Sequence, residues 1–323
     1  MNILVVRNDK LGDFITALPT LYVLKHHKSS NRIIALVAPL NRKLAQSCDF
    51  IDEVIVDEGE DILELAFKIK KANIDASVTL FSNTRVALAQ WVARIPIRIA
   101  PATKIAQIFY NCRIKQRRSE VKMGEFEYNL QLARALFDNI SLDFPKPLLH
   151  FSDDNFQNFC AKYGVSKPIV AFHPGFGGSS DANWTLEEYM ELVGIAAQDK
   201  EVDVVMTFGP DEEKLYTAAK SLLGESRVVV YQSQGSIVDF AALLSRFSLF
   251  ISTSTGTYHL ASASGCETFT FFGDSKFASA ARWKSIGEES KQKHFMIPLD
   301  TKGRAKMFET VKQELRSRLL KGF

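Results

Sequence analysis

An α/β protein of two doubly wound, Rossmann-like parallel-sheet domains is expected from three features of this chain. Its 323 residues exceed what one small core usually organises. Short β-branched runs alternate with helical patterns, the signature of βαβ units. A proline-broken acidic stretch, "DFPKPLLHFSDDN" at 143–155, separates one such series from a second.

In the first series the strand candidates are "ILVVR" (3–7), "RIIALVA" (32–38), "EVIVD" (53–57), "ASVTLF" (76–81) and "IRIA" (97–100). The helix expected after the first of them puts Ile15, Leu18, Leu21, Tyr22 and Leu24 on one face, with Asp13 suited to cap it. Residues 101–122 lose the rhythm and turn basic, and "EFEYNLQLARALF" then restores a helical period. The second series runs "PIVAFH" (168–173), "VDVVMTF" (202–208), "RVVVY" (227–231), "LFIST" (249–253) and "ETFTFF" (267–272). The expected domains are therefore 1–150 and 151–303, with 304–323 a terminal helix packing back toward the first domain. Two such domains are expected to face each other across a cleft, with ligands at the carboxyl ends of the strands.

Composition narrows the class. A formal net charge of +3 is too mild for a nucleic-acid binder. Four scattered cysteines without a C-x-x-C pair indicate neither a zinc site nor a redox motif, and read as reduced thiols of a cytoplasmic protein. The short apolar start is broken by Arg7, Asp9 and Lys10, so it is not expected to act as the apolar region of a signal peptide. No run reaches the roughly 18 uncharged apolar residues of a membrane span, so membrane contact is expected to be peripheral.

Three strand-to-helix loops carry the chemistry. The first, 8–13, sets Lys10, Gly12 and Asp13 after the opening strand. Lys10 is placed to pair with Asp13 or with an acidic ligand group, while Asp13 reads equally as a cap or as a carboxylate aimed into the cleft. In the second, "FHPGFGGSSDANWT", His173 follows a strand, Gly175, Gly177 and Gly178 loosen the backbone, and Thr185 with Glu188 forms a capping box. It fails as a dinucleotide fingerprint, because Ser180 takes the third glycine position and the next strand ends in "VVMTFG" without an acid. In the third, "STSTGTYHLASASG", Gly256 and the N–H groups of Thr255, Gly256 and Thr257 open a helix as an anion site. Ser254, Thr255, Thr257 and His259 add donors; the alternative is a plain N-cap with His259 satisfied on the helix face.

The segments "K-x-G-D-x-x-x-x-x-P" (Lys10, Gly12, Asp13, Pro19), "HPG…W" and "STGxxHLAxAxG…FG" together resemble glycosyltransferase family nine, the bacterial heptosyltransferases of lipopolysaccharide core assembly. The resemblance spans Lys10 to Gly273. It implies a GT-B fold in which the first domain takes a lipid-linked sugar acceptor and the second a nucleotide sugar, ADP-heptose in the family. By the same resemblance Asp13 falls on the catalytic base, and Ser254, Thr255, Gly256 and His259 fall on the donor-phosphate loop. "GPDE" matches a segment that would set Gly209 and Glu212 beside the nucleotide. The implied reaction is an inverting single displacement with no cofactor beyond the nucleotide-sugar co-substrate. No acidic cluster with metal-ligand spacing accompanies the loop.

Two departures stand out. Ala182 occupies the position where family members often carry a donor-contacting lysine, and Ser254 stands where many have an acid. His173 and Ser179 or Ser180 are the candidates to compensate. The basic run "RIKQRRSEVK", with Arg113, Lys115, Arg117, Arg118 and Lys122, is either a solvated face or the surface that binds an anionic acceptor and holds the enzyme at the inner face of the cytoplasmic membrane. A monomer is expected. Another nucleotide sugar such as a UDP-hexose, or a catalytically silent nucleotide-sugar binder, are the competing readings of the same fold.

Overall fold

The computed structural model describes residues 1–175 and 182–323. Gly177, Gly178, Ser179 and Ser180 lie outside the described residues. The chain divides into two compact units, Met1–Pro145 and Lys146–Phe323, so the break falls five residues before the expected one, inside the proline-rich stretch.

The first unit contains β1 (Asn2–Arg7), β2 (Arg32–Val37), β3 (Glu53–Val56), β4 (Ala76–Thr79), β5 (Ile97–Pro101) and β6 (Cys112–Ile114). They form a parallel sheet in the order β3-β2-β1-β4-β5-β6. The second unit contains β7 (Ile169–His173), β8 (Asp203–Phe208), β9 (Val229–Gln232), β10 (Leu249–Thr253), β11 (Glu267–Gly273) and β12 (Gln292–Ile297), ordered β12-β11-β10-β7-β8-β9, again all parallel. Parallel strands covered on both faces read as continuous apolar runs, and the central strands do: residues 3–6 and 169–172 are at most 1% exposed.

In each sheet the strand order reverses once, between β1 and β4 and between β7 and β10. Such a switch point leaves a crevice at the carboxyl ends of the two diverging strands, which is where open α/β sheets bind ligands. Asp13 follows β1, His173 ends β7, and Ser254 follows β10.

The terminal helix is Thr301–Leu320, starting three residues before the expected 304. Phe308, Val311, Leu315 and Leu319 complete the core of the second unit, packing with the helix Leu186–Gln198 and with β12. Arg304 from this helix stacks 4.5 Å from the Trp184 ring and donates to the carbonyl of Asn183 at 3.0 Å. The Thr185–Glu188 capping box forms as expected. Cys48 and Cys266 are buried and Cys112 and Cys160 partly so, all as free thiols.

Candidate active site

In the first unit only Asn8–Lys10 separate β1 from the helix Leu11–His27. The turn is pinned by its neighbours: Asn8 donates to Asp57 at 2.5 Å, and Asn41 donates to the carbonyl of Asp9 at 3.0 Å. Gly12 and Asp13 lie inside the first helical turn rather than in the loop. Lys10 holds the N-cap position, so Asp13 is not the cap. Its charge still suits the positive end of the helix dipole.

The partner of Asp13 is Arg7, not Lys10. The Arg7 side chain is 4% exposed and lies among three carboxylates. It donates through Nε to Asp9 at 2.9 Å, through Nη2 to Asp13 Oδ1, and through Nη1 to Glu125 at 3.4 Å. Arg118 donates to the same Glu125 oxygen, and its Nε to Gln116 at 2.9 Å. Burial acts to lower the pKa of Arg7, but Asp9, Asp13 and Glu125 outweigh it and raise it. Burial likewise pushes Asp9 up to about 6 against the pull of Arg7, with Asp13 adding to the rise. Arg7 therefore orients Asp13 through one oxygen, and Asp13 Oδ2 has no protein partner among the described residues. Lys10 is exposed and makes no ion pair among the described residues.

Of the five basic residues in 113–122, Arg118 does not face outward for an acceptor; its charge balances the buried Glu125. Lys115, Arg117 and Lys122 line an open hollow of about 430 Å³ with Glu120, Met123, Tyr128 and Gln131. Arg117 and Lys122 both reach Glu120, at 3.2 and 2.8 Å. Arg113 is exposed on the edge strand β6. Arg117 and the β-branched Val121 both hold left-handed φ, 45° and 48°, a strained pair that brackets this hollow.

In the second unit, four residues singled out separately in the sequence converge. Glu212 accepts from the Gly209 amide at 2.7 Å and approaches His173 Nε2 at 3.8 Å. A Cβ on Gly175 would lie 1.8 Å from Glu212 Oε1, so glycine is what lets the carboxylate pass. His173 donates or accepts at Thr207 Oγ1 through Nδ1, 3.0 Å away, and burial lowers its pKa despite Glu212.

At the neighbouring strand end, Thr255 is the N-cap of the helix Gly256–Ala263, and no side chain caps the helix there. Its hydroxyl instead meets Thr257 Oγ1 at 2.7 Å. The first-turn amides thus keep the character of an anion site. The Ser254 amide is taken by Phe271 O at 2.9 Å, which anchors the loop to β11. His259 is 3% exposed, and burial, helped by His294, lowers its pKa to about 3. It is a neutral imidazole whose Nδ1 has no partner among the described residues. Ala182 is 4% exposed, its carbonyl accepting from Thr253 at 2.5 Å.

Sequence reasoning missed Arg7, Asp9 and Glu125. The signal available was an arginine closing a strand, which cannot face the core without carboxylates to meet it.

Two six-stranded parallel sheets, each with one switch point, match the GT-B fold, and the family comparison makes the protein a glycosyltransferase of that fold. The chain belongs to glycosyltransferase family 9 (heptosyltransferase), which residues 62–299 match. It is 38% identical over 310 residues to a Haemophilus influenzae protein whose name gives a glycosyltransferase but no donor or acceptor, covering 92% of this chain and 89% of that one. It is 22% identical to lipooligosaccharide heptosyltransferase 2 of Campylobacter jejuni over 85% of this chain and 82% of that protein. The fold matches the structure of the Escherichia coli ADP-heptose lipopolysaccharide heptosyltransferase II with a TM-score of 0.81 at 18% identity, covering 99% of each chain. Among the described residues no helix is long and apolar enough to cross a membrane.

Proposed function

We propose that the protein transfers a heptose or a related sugar, with inversion, from ADP-heptose to an anionic lipopolysaccharide core acceptor, acting as a monomer at the cytoplasmic face of the inner membrane. The observation that carries the reading is Asp13, held by Arg7 through one oxygen in the first helical turn at the β1/β4 switch point. The relatives named for heptose transfer supply the sugar.

An acceptor hydroxyl attacks the anomeric carbon while the bond from that carbon to the nucleotide's phosphate oxygen breaks. The hydroxyl proton passes to Asp13 Oδ2, and Arg7 keeps the carboxylate aimed during the transfer. The departing diphosphate gathers charge, which the uncapped amides at Thr255–Thr257 stabilise without reorganising. Ser254, Thr255 and Thr257 supply hydroxyls, and the neutral His259 supplies at most one N–H. Glu212 holds the Gly209 turn beside that site. Lys115, Arg117 and Lys122 meet the acidic acceptor, with Arg113 nearby on β6 and Lys10 exposed beside Asp13.

Ala182 favours a second reading, in which another nucleotide sugar such as a UDP-hexose is the donor, since a buried alanine offers phosphate no charge. Thermal stabilisation by ADP, UDP, GDP, CDP and their sugars separates the two, because a ligand of the folded state raises its melting temperature. A selective shift with ADP and ADP-heptose is expected. A shift with UDP alone moves the donor. Asp13→Ala is expected to lower turnover at least 100-fold; a loss under about threefold would refute the base, and no donor-dependent transfer by the wild type would leave a silent binder.

A further inference from the structure

The chain has 37 acidic residues among its 323, about one in nine, yet Ala76–Ser119 contains none. Those 44 residues carry eight lysines or arginines and build one edge of the first sheet, β4 through β6 with the helix Thr84–Val92. Arg85, Arg117 and Arg118 are paired with Asp57, Glu120 and Glu125. Arg94, Arg98, Lys104, Arg113 and Lys115 pair with no acid among the described residues.

The same edge exposes large apolar side chains. Ile105 is 73% exposed, Ile108 64% and Trp91 54%. The segment Ile105–Phe109 is a 3-10 turn, in which residues three apart lie one above the other. Ile105 and Ile108 therefore share the outer side. They cannot roll inward, because Ala106 and Tyr110 are buried in a small cluster with Ala87 and Ala100, and Phe109 packs against it 6.3 Å from the Trp91 ring. The backbone between is tied by Arg98, whose Nε donates to Phe109 O at 2.8 Å.

We infer that this edge is the membrane-docking surface, with Ile105, Ile108 and Trp91 entering the interface of a bilayer whose anionic headgroups meet Arg94, Lys104, Arg113 and Lys115. A stretch that combines apolar protrusions with unpaired cations and no acid of its own fits a negatively charged lipid surface. The inference specifies the peripheral contact proposed above, and vesicle binding reads it without any transfer reaction.

The test is co-sedimentation of the full chain with phosphatidylcholine vesicles, with and without phosphatidylglycerol. Each cation near an anionic leaflet is worth about a fivefold gain, so at least tenfold preference for the anionic vesicles is expected, weakening with salt. Ile105→Ser with Ile108→Ser should weaken binding at least tenfold and leave the melting temperature and nucleotide binding unchanged. Brominated lipid should quench fluorescence in the wild type more than in Trp91→Phe. Equal binding to neutral vesicles, an unaffected double variant, or equal quenching in Trp91→Phe would overturn the inference. So would a dimer that the double variant dissociates, which would make the edge a contact between copies.

Discussion

Replacing Arg7 by methionine preserves most of the buried stem but removes the cation that Asp9, Asp13 and Glu125 share. The three carboxylates are 17%, 18% and 3% exposed, so water can compensate little at Glu125 and only partly at the other two. Arg118 still serves Glu125. Removing one partner of a buried ion pair costs about 3–5 kcal/mol, and the low end applies here because two of the three acids touch solvent and one keeps a second arginine. The cost also depends on pH. Asp9 already titrates near 6 with Arg7 present, and without it takes a proton still more readily. The penalty should therefore be largest at pH 8 and shrink by 1 kcal/mol or more near pH 5, where the orphaned acids neutralise themselves. Urea denaturation of wild type and Arg7→Met at the two pH values measures both quantities. A loss below about 1 kcal/mol at pH 8, or the same loss at both values, would show that Arg7 is not the charge that holds these carboxylates.

Three further outcomes follow from the geometry. Gly175→Ala should force Glu212 off the Gly209 amide at a cost of about 1–2 kcal/mol in stability, and should cost nothing further in a Glu212→Ala background; a double-mutant cycle reads the difference. Leu315→Ala, at a fully buried position of the terminal helix, should destabilise the second unit by about 2–5 kcal/mol in calorimetry, while a helix packed loosely would lose far less. His259 has a folded pKa near 3, below its unfolded value, so the stability it lends is present above about pH 6.5 and lost as pH falls through that value, at up to about 1.4 kcal/mol per pH unit; His259→Gln should flatten the pH dependence of the melting temperature between pH 6.5 and 5.

Strands that are covered on both faces announce themselves, and ten runs marked in the sequence became β1–β5 and β7–β11 within a residue or two at most ends. The two strands that escaped notice are both at sheet edges. β6 is three residues inside a basic run, and β12, "QKHFMI", buries only Phe295 and Ile297. An edge strand with one wet face and few apolar residues has no continuous pattern to read. The convergence of His173, Gly175, Gly209 and Glu212 was foreshadowed by glycines after strands. The Arg7 cluster was not, because Arg7, Arg118 and Glu125 are brought together only by the packing of the helix Glu125–Arg134 on the first helix, a contact across more than a hundred residues. The same long-range contact is why Arg118 looked like part of a surface run.

The smallness of position 182 limits how this enzyme can change. Ala182 packs beside Gly273, where an added Cβ would already come within 2.9 Å of Ala278 and 3.8 Å of Ala182, and its carbonyl is bound by Thr253. A lysine arriving there alone would meet a site without volume for its stem, a crowding that usually costs about 1–3 kcal/mol. A lysine is thus not accommodated by that one substitution: space must also open around Gly273 and Ala278.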